Sequence, residues 1–232
     1  MEVALVTVGD ELLAGDTVNT NAAWLGERLA ERGASVVRTV VVPDDVDAIS
    51  EEVGRFAERY DAVLVTGGVG PTHDDVTMDG VAAVFDRQMG EHDDAVAYFD
   101  RHDTYAAEDL TEGTTHLPEG ARLLENPAGV APGAVVENVY VLPGVPDEMQ
   151  GMIETVAEEF AGEGTHVEEV VVDAPESSLI DAVTELRAEF DVTVGSYPGE
   201  SVRIKLTATD EALVEEAAAW LRQRVTLVEK GR

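Results

Sequence analysis

Short apolar runs alternate with amphipathic stretches through the first quarter of the chain. Three runs are rich in β-branched side chains, as buried strands are: residues 3–8, 36–42 and 62–65. Two stretches between them repeat apolar residues at helical spacing: Ala22, Leu25 and Leu29, then Ile49, Val53, Phe56, Ala57 and Tyr60. Strands that alternate with helices in this way indicate right-handed crossovers and a parallel sheet with helices on both faces.

The pattern is less regular after residue 76. Two helices are predicted next, one through Met78, Val81, Phe85 and Met89 and a more acidic one over residues 93–107. Two strands follow, at residues 122–125 and 135–142, around a turn-rich link at 126–133. After Pro143 a last helix carries Met149, Ile153, Val156 and Phe160.

Residues 162–164, Gly-Glu-Gly, mark the predicted end of a first domain, residues 1–164. Residues 165–232 follow a different order of strand, helix, strand, strand and helix, at 166–172, 177–190, 192–197, 201–207 and 211–225. The predicted fold class is therefore α/β, a three-layer, parallel-rich sheet with helices on both faces, followed by a small α+β module.

The charge balance of the chain is extreme. Its 232 residues include 48 acids against 15 Lys plus Arg, which gives a net charge of -33. The acids interleave with the helix and strand patterns, so we expect them to cover a folded surface that a salt-rich cytoplasm would screen. No apolar run approaches the roughly 18 residues of a membrane helix, and we expect a cytoplasmic protein. Cysteine is absent, so a metal ion would need oxygen or histidine ligands.

Pairs of acids follow each of the first three predicted strands: Asp10 and Glu11, Asp44 and Asp45, and Asp74 and Asp75. The carboxyl ends of parallel strands share one edge of a sheet, where ligands bind, so these six carboxylates are expected to converge. Helix capping is the alternative for Asp44 or Asp45, which precede the second predicted helix. Capping does not account for all three pairs.

A glycine-rich turn follows the third strand. Gly67, Gly68 and Gly70 allow backbone amides to approach a ligand closely, and the helix that begins near Thr77 adds the positive end of its dipole. These features favour an anion, whereas a tight turn with glycines for steric reasons is the simpler alternative. The chain has no GKS or GKT phosphate loop, no GxGxxG in this turn and no GxSxG elbow.

An anion beside clustered carboxylates needs a positive charge, which the nearby sequence lacks. No lysine precedes Lys205, and the arginines near the acid pairs fall on helices or inside a strand. A divalent metal ion such as Mg²⁺, with K⁺ as a second candidate, would balance the acids and the phosphate. Asp44 or Asp75 would hold the metal or orient a water molecule, and His73 is either a further ligand or base or an exposed turn residue.

Five ordered segments resemble the signature of the CinA family of competence/damage-inducible proteins: residues 8–15 (VGDELLAG), 19–21 (NTN), 66–77 (TGGVGPTHDDVT), 126–133 (NPAGVAPG) and 142–149 (LPGVPDEM). The resemblance covers residues 1–160 and implies the molybdopterin-binding fold of the MoaB, MogA and MoeA proteins. It implies a KH-like module for the residues that follow. The C-terminal amidase domain of bacterial CinA proteins has no counterpart in this sequence, and we do not expect its activity.

The resemblance implies two functions. The first is metal-dependent hydrolysis of ADP-ribose to AMP and ribose 5-phosphate, with Mg²⁺ or Co²⁺. The alternative is the binding of molybdopterin or a related pterin phosphate, since Asp44 and Asp75 match functional positions of the adenylating relatives. Catalysis is expected from Asp44, Asp74 and Asp75, and the metal is expected on Asp44 and Asp75. The residues expected to bind the substrate are Gly9, Asp10, Glu11, Asn21, Thr66, Gly67, Gly68, Gly70, Pro71, Thr72, Pro143, Gly144 and Glu148.

The expected partner is a small-molecule nucleotide or pterin phosphate, with no membrane. Association into a homo-oligomer is expected because molybdopterin-type domains commonly associate. Nucleic acid is a third, weaker alternative, because phosphate backbones are bound through Lys and Arg. The sequence closest to the GXXG loop of KH domains, GSYPG at residues 195–199, is one residue too long and is followed by Glu200.

Overall fold

A mixed six-stranded sheet is the centre of the first of two units, Met1–Gly162 and Glu163–Arg232. The computed structural model describes residues 1–70, 75–101, 115–162, 164 and 166–227. The strands of the first unit are β1 (Glu2–Val8), β2 (Ser35–Val42), β3 (Ala62–Thr66), β4 (Met89–Glu91), β5 (His116–Pro118), β6 (Arg122–Leu124), β7 (Gly133–Val136) and β8 (Val139–Leu142). Its helices are α1 (Asp10–Ala14), α2 (Thr20–Glu31), α3 (Val46–Ala57), α4 (Thr77–Val84), α5 (Asp93–Arg101) and α6 (Pro146–Thr155).

The strand order of this sheet is β2-β1-β3-β8-β7-β6. Strands β2, β1, β3 and β8 run parallel, whereas β7 is antiparallel to both β8 and β6. Alternate residues of β1 and β3 enter two separate cores. Ala4, Val6, Val63 and Val65 pack in the core that includes α3 and α4, and Val3, Leu5, Ala62 and Leu64 pack in the core that includes α2 and α6. The predicted three-layer α/β fold is confirmed.

The predicted strand at 135–142 is wrong, because the chain forms two antiparallel strands there. β7 and β8 are joined by Glu137 and Asn138, and Glu137 has a φ of 51°. A two-residue hairpin loop favours positive φ because it matches the twist of the strands. The Asn138 side chain holds the turn by donating hydrogen bonds to the carbonyl oxygens of Ala57 and Tyr60, both at 3.0 Å. The apolar residues on both sides conceal this turn in the sequence.

The helix predicted through Met89 is too long. α4 ends at Val84, Asp86 adopts a φ of 51°, and Met89 lies in β4, which pairs with β5 in a separate antiparallel sheet. A left-handed residue such as Asp86 cannot continue a helix, so the chain turns. Of the helix predicted over residues 93–107, α5 covers Asp93–Arg101. Residues 102–114 lie outside the described part of the chain.

The second unit is a three-stranded antiparallel sheet with two helices. Its elements are β9 (His166–Val172), α7 (Ile180–Glu189), β10 (Thr193–Tyr197), β11 (Val202–Ala208) and α8 (Glu211–Arg222), and a 3-10 turn, Glu176–Leu179, precedes α7. The strand order is β10-β11-β9. Val170, Ile204 and Leu206 pack in one core with residues of both helices, whereas Val171 and Tyr197 are exposed. The helices therefore cover one face of this sheet.

Among the residues that the structure describes, no helix has both the length and the apolar character needed to cross a membrane.

Candidate functional site

Four strand ends meet at one edge of the large sheet. The Gly9 N–H donates to the Val42 carbonyl oxygen at 3.1 Å, which joins the ends of β1 and β2. The Gly67 N–H donates to the Leu142 carbonyl oxygen at 3.1 Å, which joins the ends of β3 and β8. The loops after these strands therefore share the edge at which open α/β sheets bind ligands.

Asp44 is the central acid of this edge. The Asp10 N–H donates to Asp44 Oδ2 at 2.9 Å. Burial raises the pKa of Asp44, the Asp10 N–H hydrogen bond lowers it, and the carboxylates of Asp10, Glu11 and Asp75 raise it further. The structure thus brings together four of the six acids that the sequence places after strands.

Asp45 has a different role from its neighbour. Its Oδ1 accepts a hydrogen bond from the Ala48 N–H at 2.9 Å and caps the start of α3. The capping alternative therefore applies to Asp45. The Asp44 carboxylate instead accepts the Asp10 N–H at the candidate site. Asp74 lies outside the described residues, together with Pro71, Thr72 and His73.

The glycine turn after β3 is held in a conformation that side chains would disturb. Gly67 and Gly68 have φ angles of 98° and 60°. A Cβ on Gly67 would overlap the Val8 carbonyl oxygen, and a Cβ on Gly68 would overlap Thr77 Oγ1 and lie 3.4 Å from Asp44 Oδ1. The buried Thr77 fixes the turn from the start of α4, since its Oγ1 donates to the Gly67 carbonyl oxygen at 2.8 Å. The predicted turn thus lies directly beside Asp44.

The outer part of the turn lies beside the other acid predicted to bind metal. A Cβ on Gly70 would come within 2.7 Å of Asp75 Oδ2. Thr66, which precedes the turn, is only 2 % exposed. Its side chain is therefore buried at the end of β3.

Asn21 connects the start of α2 to the loop after β8. Its Nδ2 donates to the Gly144 carbonyl oxygen at 2.7 Å, and a Cβ on Gly144 would lie 3.3 Å from the Gly67 Cα. Asn21 is 8 % exposed, and its Oδ1 has no hydrogen-bond donor in the described part of the chain. Pro143, beside Gly144, is buried. The structure thus brings Asn21, Pro143 and Gly144 to the glycine turn.

Glu148 is engaged in a separate turn. Its carboxylate accepts a hydrogen bond from Asn126 Nδ2 at 2.7 Å and packs against Gly129. Asn126, which is 2 % exposed, also donates to the Ala131 carbonyl oxygen and accepts from the Ala128 N–H. These bonds hold the turn-rich link, so the contacts of Glu148 have a structural use. The sequence marked Asn126 only as part of a motif, although a buried Asn in a turn is a signal of such bonding.

The site is acidic and has few compensating charges. In the described residues, no lysine or arginine forms an ion pair with Asp10, Glu11 or Asp44. The same residues contain no group of three or more acids or histidines arranged to hold a metal ion. Mg²⁺ commonly takes only one or two carboxylates and completes its shell with water and phosphate oxygens. The assignment of a metal ion to Asp44 and Asp75 therefore stays a prediction from the sequence.

Comparison with known proteins assigns the two units separately. Residues 4–163 match the family model described as "Probable molybdopterin binding domain", and residues 164–229 match the middle domain of FAD synthase. The sequence suggested a KH-like module for the second unit, which stays a prediction.

Relatives extend over nearly the whole chain. A protein from Archaeoglobus fulgidus is 37% identical over 94% of this chain and 95% of its own length. A CinA-like protein from Citrifermentans bemidjiense is 34% identical over 97% of this chain and 58% of its own length. The crystal structure of CinA from Thermoplasma acidophilum, 37% identical, superposes with a TM-score of 0.63 over 68% of this chain and 97% of that one. The resemblance to CinA proteins is confirmed, and the chain belongs to the family of the probable molybdopterin-binding domain.

Proposed function

We propose that the edge formed by Asp44, Asp75 and the glycine turn binds a pterin phosphate of the molybdopterin type together with a divalent metal ion. The observation that supports this proposal most directly is the position of Asp44, beside Gly68 and within the field of three other carboxylates. Gly68 and Gly70 carry no side chain, so a ligand can approach their backbone closely, whereas the Gly67 N–H is already bonded to the Leu142 carbonyl oxygen. The family of the first unit supports the pterin as the ligand class.

The metal ion would allow a phosphate to bind at this acidic edge. Asp44 and Asp75 would hold it, and its charge would offset the repulsion between the carboxylates and the phosphate oxygens. Asn21 and Gly144 would position the loop after β8, because their hydrogen bond joins that loop to α2 and Gly144 lies close to Gly67 of the glycine turn. Mg²⁺ and Co²⁺ are the ions we would test first.

Hydrolysis of ADP-ribose is the second candidate, and the carboxylate cluster favours it. A water oxygen would attack one phosphorus of the diphosphate, and the bond from that phosphorus to the bridging oxygen would break to give AMP and ribose 5-phosphate. Asp44, whose pKa is raised, is the group suited to accept the proton of that water. Asp75 and Asp74 are the remaining candidates for orienting the water or the metal.

The two candidates are separated by measuring both on one preparation. The protein in molar KCl with Mg²⁺ or Co²⁺ is titrated with molybdopterin under anaerobic conditions, and AMP release from ADP-ribose is followed by chromatography. We expect the protein to bind pterin tightly and a chelator to abolish that binding. Asp44→Asn and Asp75→Asn should each weaken it by at least about tenfold, because each variant removes a metal ligand. Asp47→Asn, on the exposed first turn of α3, is the matched control and should bind as the parent does.

Each result has a distinct meaning. AMP release that requires metal and disappears in Asp75→Asn would establish the hydrolase. If the protein shows no AMP release and also binds no pterin, the assignment of this edge as the binding site is overturned. The same preparation, measured by light scattering, tests the expected homo-oligomer.

A further inference from the structure

One face of the second unit's sheet is not covered by the helices of that unit. Val170, Ile204 and Leu206 pack in the core with the helices, so the residues that alternate with them lie on the opposite face. Nine residues share that face: Thr193, Gly195 and Tyr197 of β10, Arg203, Lys205 and Thr207 of β11, and Val167, Glu169 and Val171 of β9. We call these nine residues the open face.

The pairing of the strands arranges the open face in three rows. The first row is Tyr197, Arg203 and Val171, the second is Gly195, Lys205 and Glu169, and the third is Thr193, Thr207 and Val167. Members of a row are about 4.8 Å apart, and successive rows are about 7 Å apart. The charged and apolar members of the face are therefore direct neighbours.

The open face carries exposed apolar side chains. Val167, Val171 and Tyr197 are 45%, 40% and 47% exposed. The Tyr197 ring lies across the sheet, because a Cβ on Gly195 would come within 2.8 Å of its Cε2. The guanidinium carbon of Arg203 lies 4.9 Å from the centre of the same ring. This cation–π contact holds the arginine and the tyrosine in place beside Val171.

The centre of the open face is positively charged, although the net charge of the chain is -33. Lys205, one of only two lysines in the sequence, is the middle residue of the middle row. It forms no ion pair with any described residue, whereas Arg203 pairs with Glu169 at 2.9 Å. Two cations thus share the face with one acid, and a ligand that brings further carboxylates would balance them.

A second copy of this chain fits the open face poorly. A two-fold contact through the centre of the face would bring the Lys205 ammonium groups of the two copies together. The three rows also span only roughly 300 Å², whereas a stable interface buries roughly 800 Å² on each partner. A face of this size suits one extended segment.

The mixture of cationic and apolar side chains defines the chemistry of that segment. Single-stranded nucleic acid carries a phosphate on every nucleotide, and two cations cannot offset the repulsion of so acidic a chain. A peptide carries carboxylates at separate positions, with apolar side chains between them. Alternate residues of an extended peptide are about 7 Å apart, so carboxylates at i and i+2 match Arg203 and Lys205, and an apolar residue at i+4 reaches Val167.

We propose that the open face binds an extended acidic segment of a partner protein. Two carboxylates of the segment, two residues apart, contact Arg203 and Lys205, and the apolar side chains that flank them cover Val167 and Val171. The inference is separate from the proposed function, because the open face belongs to the second unit and the glycine turn belongs to the first.

Two peptides that differ only in charge test the proposal. The first is Val-Ser-Glu-Ser-Glu-Ser-Val with blocked ends, which places both glutamates and both valines on one side when extended, and the second has Gln in place of Glu. Each is titrated into the isotopically labelled full chain, and the amide shifts in NMR spectra give the affinity and the position of binding. We expect the acidic peptide to bind at least about fivefold more tightly, through two exposed ion pairs, and to shift amides of β9 and β11. The preference should shrink as the KCl concentration rises.

Substitutions on the open face should remove the two contributions separately. Lys205→Gln should bring the affinities for the two peptides to within about twofold of each other. Arg224→Gln is the matched control, because Arg224 is exposed and stacks on Trp220, which packs with the helices of this unit. The double variant Val167→Ser and Val171→Ser should weaken both peptides by about threefold, since it removes apolar contact and leaves the charges unchanged. Circular dichroism checks that each variant is folded.

The other occupants are tested on the same samples, with a short oligouridylate as a further ligand and with light scattering. Equal affinities of the parent for the two peptides, no binding of either peptide, or shifts that leave β9 and β11 unaffected would overturn the inference. Tighter binding of the oligouridylate than of the acidic peptide would assign the open face to nucleic acid and also overturn it. A molar mass that rises with concentration in the parent but not in Lys205→Gln would assign the face to a second copy, with the same consequence.

Discussion

The two sheets of this protein bury their strands in different ways. All five residues of β3 are buried, because helices cover both faces of the large sheet. In β9, by contrast, Val170 is 2 % exposed and its neighbour Val171 is 40 % exposed. A sheet covered on both faces offers ligands only its edges and strand ends, whereas a sheet with an open face offers that face. This difference explains why the candidate chemistry of the first unit is confined to loops after strands.

The largest effects are expected from removing buried side chains on both faces of β3. Leu64→Ala should destabilise the protein by about 4 kcal/mol and Val65→Ala by about 2 kcal/mol, because each leaves a cavity in a different core. In β9, Val170→Ala should cost a similar amount to Val65→Ala, and Val171→Ala should cost less than about 0.5 kcal/mol. Denaturant unfolding followed by circular dichroism measures all four. Equal losses of stability in Val170→Ala and Val171→Ala would contradict the open face of the second unit's sheet.

The next effect concerns the turns at the ends of strands. Gly67→Ala should destabilise the first unit by about 3 kcal/mol, since a Cβ there meets the Val8 carbonyl oxygen at a positive φ. Gly199→Ala, in the turn between β10 and β11, is the comparison in the second unit. A Cβ on Gly199 would lie 3.4 Å from the Ser201 carbonyl oxygen, so we expect a change below about 1 kcal/mol. A Gly67→Ala protein as stable as its parent would show that the turn can relax.

The smallest effect is a gain in stability at the acidic edge. The raised pKa of Asp44 means that the folded state binds this proton more tightly than the unfolded state does. The ionised carboxylate therefore opposes folding, starting as the pH rises past the ordinary Asp pKa and in full above the raised one. Asp44→Asn removes the charge and can still accept the Asp10 N–H, so it should stabilise the protein by about 0.5 kcal/mol at pH 7.

Thermal unfolding at several pH values tests this sign. The parent and Asp44→Asn should have the same midpoint at pH values below the ordinary Asp pKa and should diverge above it. The second unit provides the comparison: Asp210 caps α8 through the Ala212 N–H, so Asp210→Ala should destabilise at neutral pH. A neutral-pH loss of stability in Asp44→Asn would mean that the carboxylate supports the fold.

Much of the first unit was predictable because its cores impose regular patterns. The runs at 3–8, 36–42 and 62–65 became β1, β2 and β3 with small changes at their ends. β1 and β3 are buried as predicted, whereas β2 lies at the edge of the sheet and buries only Val42. The turn at Glu137 was not predictable in the same way, since apolar residues flank it on both sides and Asn138 finds its partners 78 and 81 residues away. Met89 likewise fitted a helical spacing, although the chain had already turned at Asp86.

The candidate site also combines features that the sequence predicts with features that depend on the folded structure. The sequence placed acids after three strands and glycines after the third, and the common edge of the sheet brings Asp10, Glu11, Asp44 and Asp75 together. It did not separate Asp45, which caps a helix, from Asp44, and it did not reveal that Glu148 bonds to Asn126. Those roles depend on which backbone groups lie within hydrogen-bonding distance after folding.

The sequence alone establishes the alternation of strands and helices, the division into an α/β part and a smaller part, and the position of acids and glycines at strand ends. These features follow from local spacing, because side-chain periodicity and turn chemistry act over a few residues. That the sheet is mixed, and that Asn21 reaches Gly144 across 123 residues, is apparent only in the folded structure. Contacts between distant residues arise from the packing of the whole sheet, which no local pattern records.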